Sequence, residues 1–440
     1  MEIIQREYNY FPVDLPFDTV TAMRHKLHEA AHNLAGATGE PVRFAITESP
    51  PDHYHCEVGI LIRGDDERKG PSIFEFRHRE YENQETFNAV LLVPTGIGAA
   101  IGGHAGDACP VARLLGSVCD TLITHPNVVN ASDINEMPAN ALYVEGSVIS
   151  DLLMGTAGLL RSRANRILVL VSAHAEPAIA AATINAISAA RATLGIECVG
   201  VVGIDPPLQM KSRYSLTGMA VGTITGLEAI CSVLDEYDGQ YDAVALTSVI
   251  DVPVHYHTEY FEQAGDMVNP WGGVEAMLTH ALSRRYRVPM AHAPMSDSSE
   301  IANLDVGVVD PRMSAETVSC CFLHCILKGL HKSPRITDDP VLFRSPGVLS
   351  AKDVSCLVIP DGCVGLPTLA AIEQNIPVIA VRENRNRMKN ELSDYPFQIP
   401  GLVTVDNYLE AAGVLVALRA GVSLESVARP LRATKVSGAN

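Results

Sequence analysis

The sequence predicts an α/β protein: mostly parallel sheets flanked by helices, in two Rossmann-like α/β lobes, with an N-terminal α+β region ahead of them. Three observations carry this. From residue 88 onward, apolar strand-like runs alternate with Ala-rich helical stretches, the pattern of βαβ units. The chain is 47% hydrophobic but only 5% aromatic, which suits aliphatic strands covered by helices on both faces. Its 440 residues exceed what one core usually serves, so we expect domains over 1–87, 88–335 and 336–440.

In the first region a helix is expected over 18–36, capped by Asp18 and ended by Gly36. Short strands should follow at 44–47, 57–62 and 73–76, with a polar loop at 64–70. The main domain should hold strands at 89–93, 121–124, 166–171, 198–204, 243–249, 288–291 and 306–309. Helices are expected between them at 110–118, 177–194, 225–234, 272–283 and 315–330. The Pro-rich stretch 334–346 reads as a linker. Beyond it come a strand at 356–360, a helix at 367–374, strands at 377–381 and 402–405, and a helix at 408–418.

Charge narrows the partners. The formal net charge is −18, from 33 basic and 51 acidic residues, so nucleic acid and anionic membrane surfaces are disfavoured. The basic cluster 382–389 reads as solvated surface. No signal-peptide pattern or membrane-length apolar run is evident, and the ten cysteines form no CxxC pair. We therefore expect a cytoplasmic protein acting on a small-molecule substrate, and a homo-oligomer on general grounds. No recognisable motif requires a cofactor, although a divalent metal has one candidate site.

Ligands of parallel sheets gather beyond the C-terminal strand ends, so chemistry is sought in those loops. The first is glycine-rich: Thr95, Gly96, Gly98, Gly102 and Gly103 can bring backbone N–H groups to a ligand, though their spacing misses GxGxxG. His104 and Asp107 there offer acid–base groups, and Cys109 precedes Pro110 at an expected helix start that would lower a thiol pKa. The second carries His125, Asn127, Asn130, Ser132 and Asp133. In the third, His255, His257 and Glu259 would share one face of an extended segment and make a metal set; if the segment is helical, that argument fails. The same HYHxE spacing occurs at 53–57. Trp271, Gly272 and Gly273 open a helix and offer a stacking face and close approach. His292 and Ser296 form a further strand end, as do Asp361 and Cys363. Cys320, Cys321 and Cys325 fall in an apolar helical run and read as core.

The segments PTGIGAAIGGHAGDACP, THPNVVNASDINEMPANALYVEGS, NPWGGVEAMLTH and AHAPM resemble a family of unknown function, DUF3326, over most of 88–385. That resemblance implies no activity or catalytic residue. A second likeness is to aspartate/glutamate racemases, which look like two α/β halves each offering one Cys to a shared cleft. Cys109 and Cys363 would fill those places, but GDACP and DGCVG do not reproduce the racemase motifs.

The leading expectation is an enzyme of hydrolase, lyase or isomerase type acting on a small polar, carboxylate-bearing metabolite in a cleft between lobes. Cys109 or Cys363 would serve as nucleophile or acid–base thiol, with His104, His125 or His292 moving protons. One alternative is a metal enzyme using His255, His257 and Glu259. Another is a non-catalytic metabolite-binding or scaffold protein, which would bind without turnover and whose polar loops would not converge.

Overall fold

Two large sheets organise the computed structural model, which describes residues 1–11, 19–64, 66, 70–263, 265–319, 321–395 and 399–434. The first has six strands, in the order Leu402–Val405, Val378–Val381, Cys356–Pro360, Asn88–Leu91, Thr121–Thr124 and Ala141–Tyr143. Every neighbouring pair is parallel. Its central strands are buried along their whole length, as expected when helices cover both faces. This sheet draws strands from both sides of the linker expected at 334–346.

The second sheet has ten strands and is mixed, which corrects the expectation of mostly parallel sheets. One part is parallel: Glu197–Ile204, Arg166–Ser172, Ala243–Asp251 and Met290–Met295. The other part is largely antiparallel. It contains the hairpin Gln209–Tyr214 and Ala220–Thr225, then Glu2–Tyr10, Tyr54–Ile62 and Gly39–Glu48. Short returns such as that between Tyr214 and Ala220 leave no room for a crossover helix, so these strands run antiparallel. The strand Glu2–Tyr10 escaped the sequence reading because its buried positions include Gln5, not an apolar row.

The first helix is Val20–Ala35, and the Thr19 side chain caps it by accepting from Ala22 N at 3.1 Å. The expected cap Asp18 lies outside the described residues. No strand forms at 73–76: Ile73 and Phe74 are buried in a turn, so apolar burial there needs no ladder. Nor does one form at 306–309, where Val308 is fully exposed. The helix expected over 315–330 is split into a 3₁₀ turn, Ser314–Thr317, and the helix Leu323–His331. Cys325 lies buried in that helix, Cys321 precedes it, and Cys320 is outside the described residues. No helix among the described residues is long and apolar enough to cross a membrane.

Candidate active site

Loops leaving the C-terminal ends of both parallel strand sets line one cavity of about 590 Å³. Thr95, Gly96, Gly103 and His104 reach it from the first predicted loop, and His125, Asn127, Asn130 and Ser132 from the second. Trp271, Gly272, His292 and Ser296 reach it from the other sheet. Gly98, Gly102, Asp107, Cys109, Asp133, Gly273, Asp361 and Cys363 do not line it.

The strongest arrangement was not foreseen. Glu145 follows the short strand Ala141–Tyr143, and His280 sits in the helix Gly272–Tyr286. His280 Nδ1 lies 2.5 Å from Glu145 Oε1. Ser147 donates to Glu145 through both its backbone N, at 2.8 Å, and its hydroxyl. Thr279 Oγ1 donates to Oε1 at 3.2 Å. Burial pushes the Glu145 carboxyl up, but the charge and hydrogen bond of His280 and the Ser147 donors outweigh it and hold it at about 2. A carboxylate fixed in this way holds the imidazole through Nδ1. Among the described residues nothing hydrogen-bonds His280 Nε2, and the residue lines the cavity.

A second carboxylate–imidazole pair stands nearby. Glu275 Oε1 is 2.8 Å from His292 Nδ1, and His292 Nε2 is 2.8 Å from Ser248 Oγ. Glu275 keeps some exposure in the cavity while the His292 side chain has none, so the carboxylate, not the imidazole, is open to it.

The other predicted histidines are committed to structure. His125 Nε2 accepts from Val93 N at 3.1 Å, which closes the strand end. His104 Nδ1 lies 2.7 Å from Tyr260 Oη, whose hydroxyl donates to Glu316 Oε1 at 3.0 Å. Asn127 gives its amide to Val93 O and Gly102 O, at 3.0 and 2.8 Å. Ser132 donates to Ser319 O at 3.1 Å, and Asn130 pairs with Tyr143. Asp361 accepts from Gly362 N and Leu392 N, away from the cavity.

Neither thiol fits its expected role. Cys109 does stand at a helix start, but it is buried against Val129 O, and burial pushes its pKa up to about 11. Burial pushes Cys363 higher still. Desolvation of the thiolate outweighs the helix end in both places. The expected metal set fails for its stated reason: Tyr256–Glu262 is a helix, His255 is exposed, and buried His257 turns its Nε2 to within 3.0 Å of Asp297. Glu259 lies on the half-buried side. The earlier copy of the motif is the extended one, and Glu7, His55 and Glu57 bring ligand atoms within 4.8 Å of one another. Those carboxylates are already engaged by Gln5, Thr217, Arg213 and Leu216 N.

Opposed titrations surround the cavity. Burial raises Glu316 from 4.5 to about 7 and Asp107 from 3.8 to about 7. It lowers His104 and His125 from 6.5 to about 4, with Arg312 adding at the former and His280 at the latter. A carboxyl with a raised pKa costs stability as pH climbs from its unfolded value to its folded one. A histidine with a lowered pKa costs stability as pH falls from its unfolded value to its folded one. The contributions oppose each other between about pH 4.5 and 6.5. Glu316→Gln deletes one descending contribution, so its stability relative to wild type should grow from pH 4.5 to 7 and level off above. Urea melts at pH 5, 6, 7 and 8 measure this; a constant difference across that range would refute it.

No solved structure matches the chain. A relative named "Uncharacterized lipoprotein syc1174_c", from Synechococcus sp. (strain ATCC 27144 / PCC 6301 / SAUG 1402/1), is 34% identical over 340 residues, which is 77% of this chain and 92% of that protein. The family model described as "Protein of unknown function (DUF3326)" matches residues 88–428, a span that holds Glu145, His280 and every described residue of the cavity wall, and the chain belongs to that family.

Proposed function

We propose that the chain is an enzyme that moves a proton to or from a small polar molecule in this cavity, with His280 as the acid–base group and Glu145 as its positioning carboxylate. The observation that carries this is the 2.5 Å contact at Nδ1, with no hydrogen bond to Nε2 among the described residues and His280 in the cavity wall. Positioned imidazoles of this kind contribute about 10²–10⁴-fold to proton-transfer steps. Glu275 is the second group able to take or give a proton. Hydrolase, lyase and isomerase chemistry all use such a pair, and the role first sought in His104, His125, His292 and two thiols passes to His280. Convergence of the predicted loops supports an enzyme over a scaffold. The nine described cysteines are free, which supports the reducing, cytoplasmic setting we propose; cell fractionation tests it.

The enzymatic test needs no prior substrate. Purified protein is incubated with the small-molecule extract of its host cells, and mass spectrometry follows every compound. Wild type should deplete one compound and produce another, and His280→Gln should do neither. Equal conversion by His280→Gln, or no conversion beyond that of heat-killed protein, would overturn the reading.

A further inference from the structure

We propose that a smaller cavity beside the Glu145–His280 pair is an oxyanion subsite built around Arg43, holding a carboxylate or phosphate group of the substrate. This rests on the enzymatic reading above and names the substrate class. The smaller cavity measures about 120 Å³, and Thr95, His125, Gly146, Ala276 and His280 belong to both walls. At about 30 Å³ per water molecule, it has room for the oxygens of one such group.

Arg43 lies on the strand Gly39–Glu48, just after a register shift between Pro41 and Arg43. Such bulges re-aim side chains. Its partner across the ladder is Gly59, where a Cβ would come within 3.1 Å of Arg43 Cβ, so glycine leaves the arginine its place. Arg43 lines the smaller cavity, its Nη1 is buried without a hydrogen-bond partner, and the side chain has no ion pair among the described residues. Arg43 is half-buried, whereas the fully buried arginines are matched: Arg24 with Glu373 at 2.6 Å, Arg63 with Glu40 at 2.9 Å and Arg284 with Asp151 at 3.0 Å. Glu57 is the carboxylate whose charge reaches Arg43, and its oxygens already accept from Gln5 and Thr217.

A guanidinium stays charged at neutral pH and is costly to bury unpaired, so this geometry calls for an anion. Two further features agree. The helix Leu366–Glu373 begins at this cavity, and its N-terminus favours negative charge; Gly146–Leu153 begins there too, its N-terminus capped by Glu145. Asp151, the acidic residue of the wall, is held by Arg284 and Arg287. The main cavity offers the reverse: Glu145, Glu275 and Glu316 line it, and no Lys or Arg does among the described residues. The substrate therefore carries an oxyanion at one end, and its remainder in the main cavity is neutral or cationic.

The test follows thermal unfolding of the full chain in sodium acetate, sodium phosphate and sodium chloride at equal ionic strength. A ligand of the folded state raises the midpoint as its concentration passes Kd. Acetate or phosphate should raise the midpoint beyond chloride, and which one does identifies the group. Arg43→Met should lose that rise while its midpoint without added anion stays at or above the wild-type value, because an apolar side chain removes a buried charge. Arg43→Gln serves the same purpose should the methionine variant fail to fold. An equal response to chloride, or an undiminished response in these variants, would overturn the subsite. His280→Gln should keep the anion response while losing turnover. An intact anion response without wild-type turnover would therefore sink the enzymatic reading alone, and turnover without an anion response would sink the subsite alone.

Discussion

Glu145→Gln should lower kcat by about 10³–10⁴-fold on the compound that wild type consumes. The amide keeps the shape of the carboxylate and can still accept from His280 Nδ1. It carries no charge, so it cannot stabilise the imidazolium that forms when Nε2 takes a proton. Glu145→Asp keeps the charge but draws it back by one methylene, and should recover part of the rate. A group that positions rather than binds should leave KM nearly unchanged. Stability gives an independent readout. The folded-state pKa of about 2 lies below the ordinary 4.5, so Glu145 contributes stability that is present above about pH 4.5 and is lost as pH falls towards 2. Glu145→Gln should lack that dependence. Full kcat in Glu145→Gln, or a loss confined to KM, would remove the pair from the chemistry.

The strand-end rule located the cavity from sequence because it depends on local order: an apolar run, then a polar turn. It could not find Glu145, whose strand Ala141–Tyr143 is only three residues long and shows no periodicity. Nor could it find His280, which lies inside a helix and meets a partner 135 positions away. The thiols misled for a related reason. Proximity of Cys109 to a helix start can be read locally, but its desolvation comes from the segments packed over it. Strands were legible at 356–360 and, as 89–93, near Asn88–Leu91, whereas their adjacency in one sheet was not, since pairing joins segments over 260 positions apart. Arg43 fell just before the strand expected at 44–47, and nothing local marked it; the bulge and the cavity beside it come from the fold.

Gly273→Ala is expected to destabilise the fold by about 3 kcal/mol or more, at or beyond the upper end for an overpacked site. Sequence suggested that this glycine lets a ligand approach; in the structure it lets the strand Ala220–Thr225 approach. A Cβ on Gly273 would sit 1.8 Å from Ala220 O and 2.5 Å from Ala220 C, both backbone atoms that no rotamer change can move. Gly96 closes the same junction, accepting from Ala220 N at 2.9 Å, and its own Cβ would fall 3.1 Å from Gly273 Cα. Helix, strand and glycine-rich loop thus meet backbone to backbone. Relief requires the helix Gly272–Tyr286 to shift, and that helix carries Glu275, Thr279 and His280. The folded fraction of Gly273→Ala should therefore lose turnover as well, because His280 moves away from Glu145. Gly413→Ala is the control: nothing lies within 4 Å of its added Cβ, and it sits exposed in the helix Tyr408–Arg419. That substitution should gain about 0.5–1 kcal/mol from helix propensity. Urea midpoints of the two variants compare them directly. A Gly273→Ala midpoint close to wild type would mean that the helix and strand do not touch as described, and the position of His280 would then lose its support.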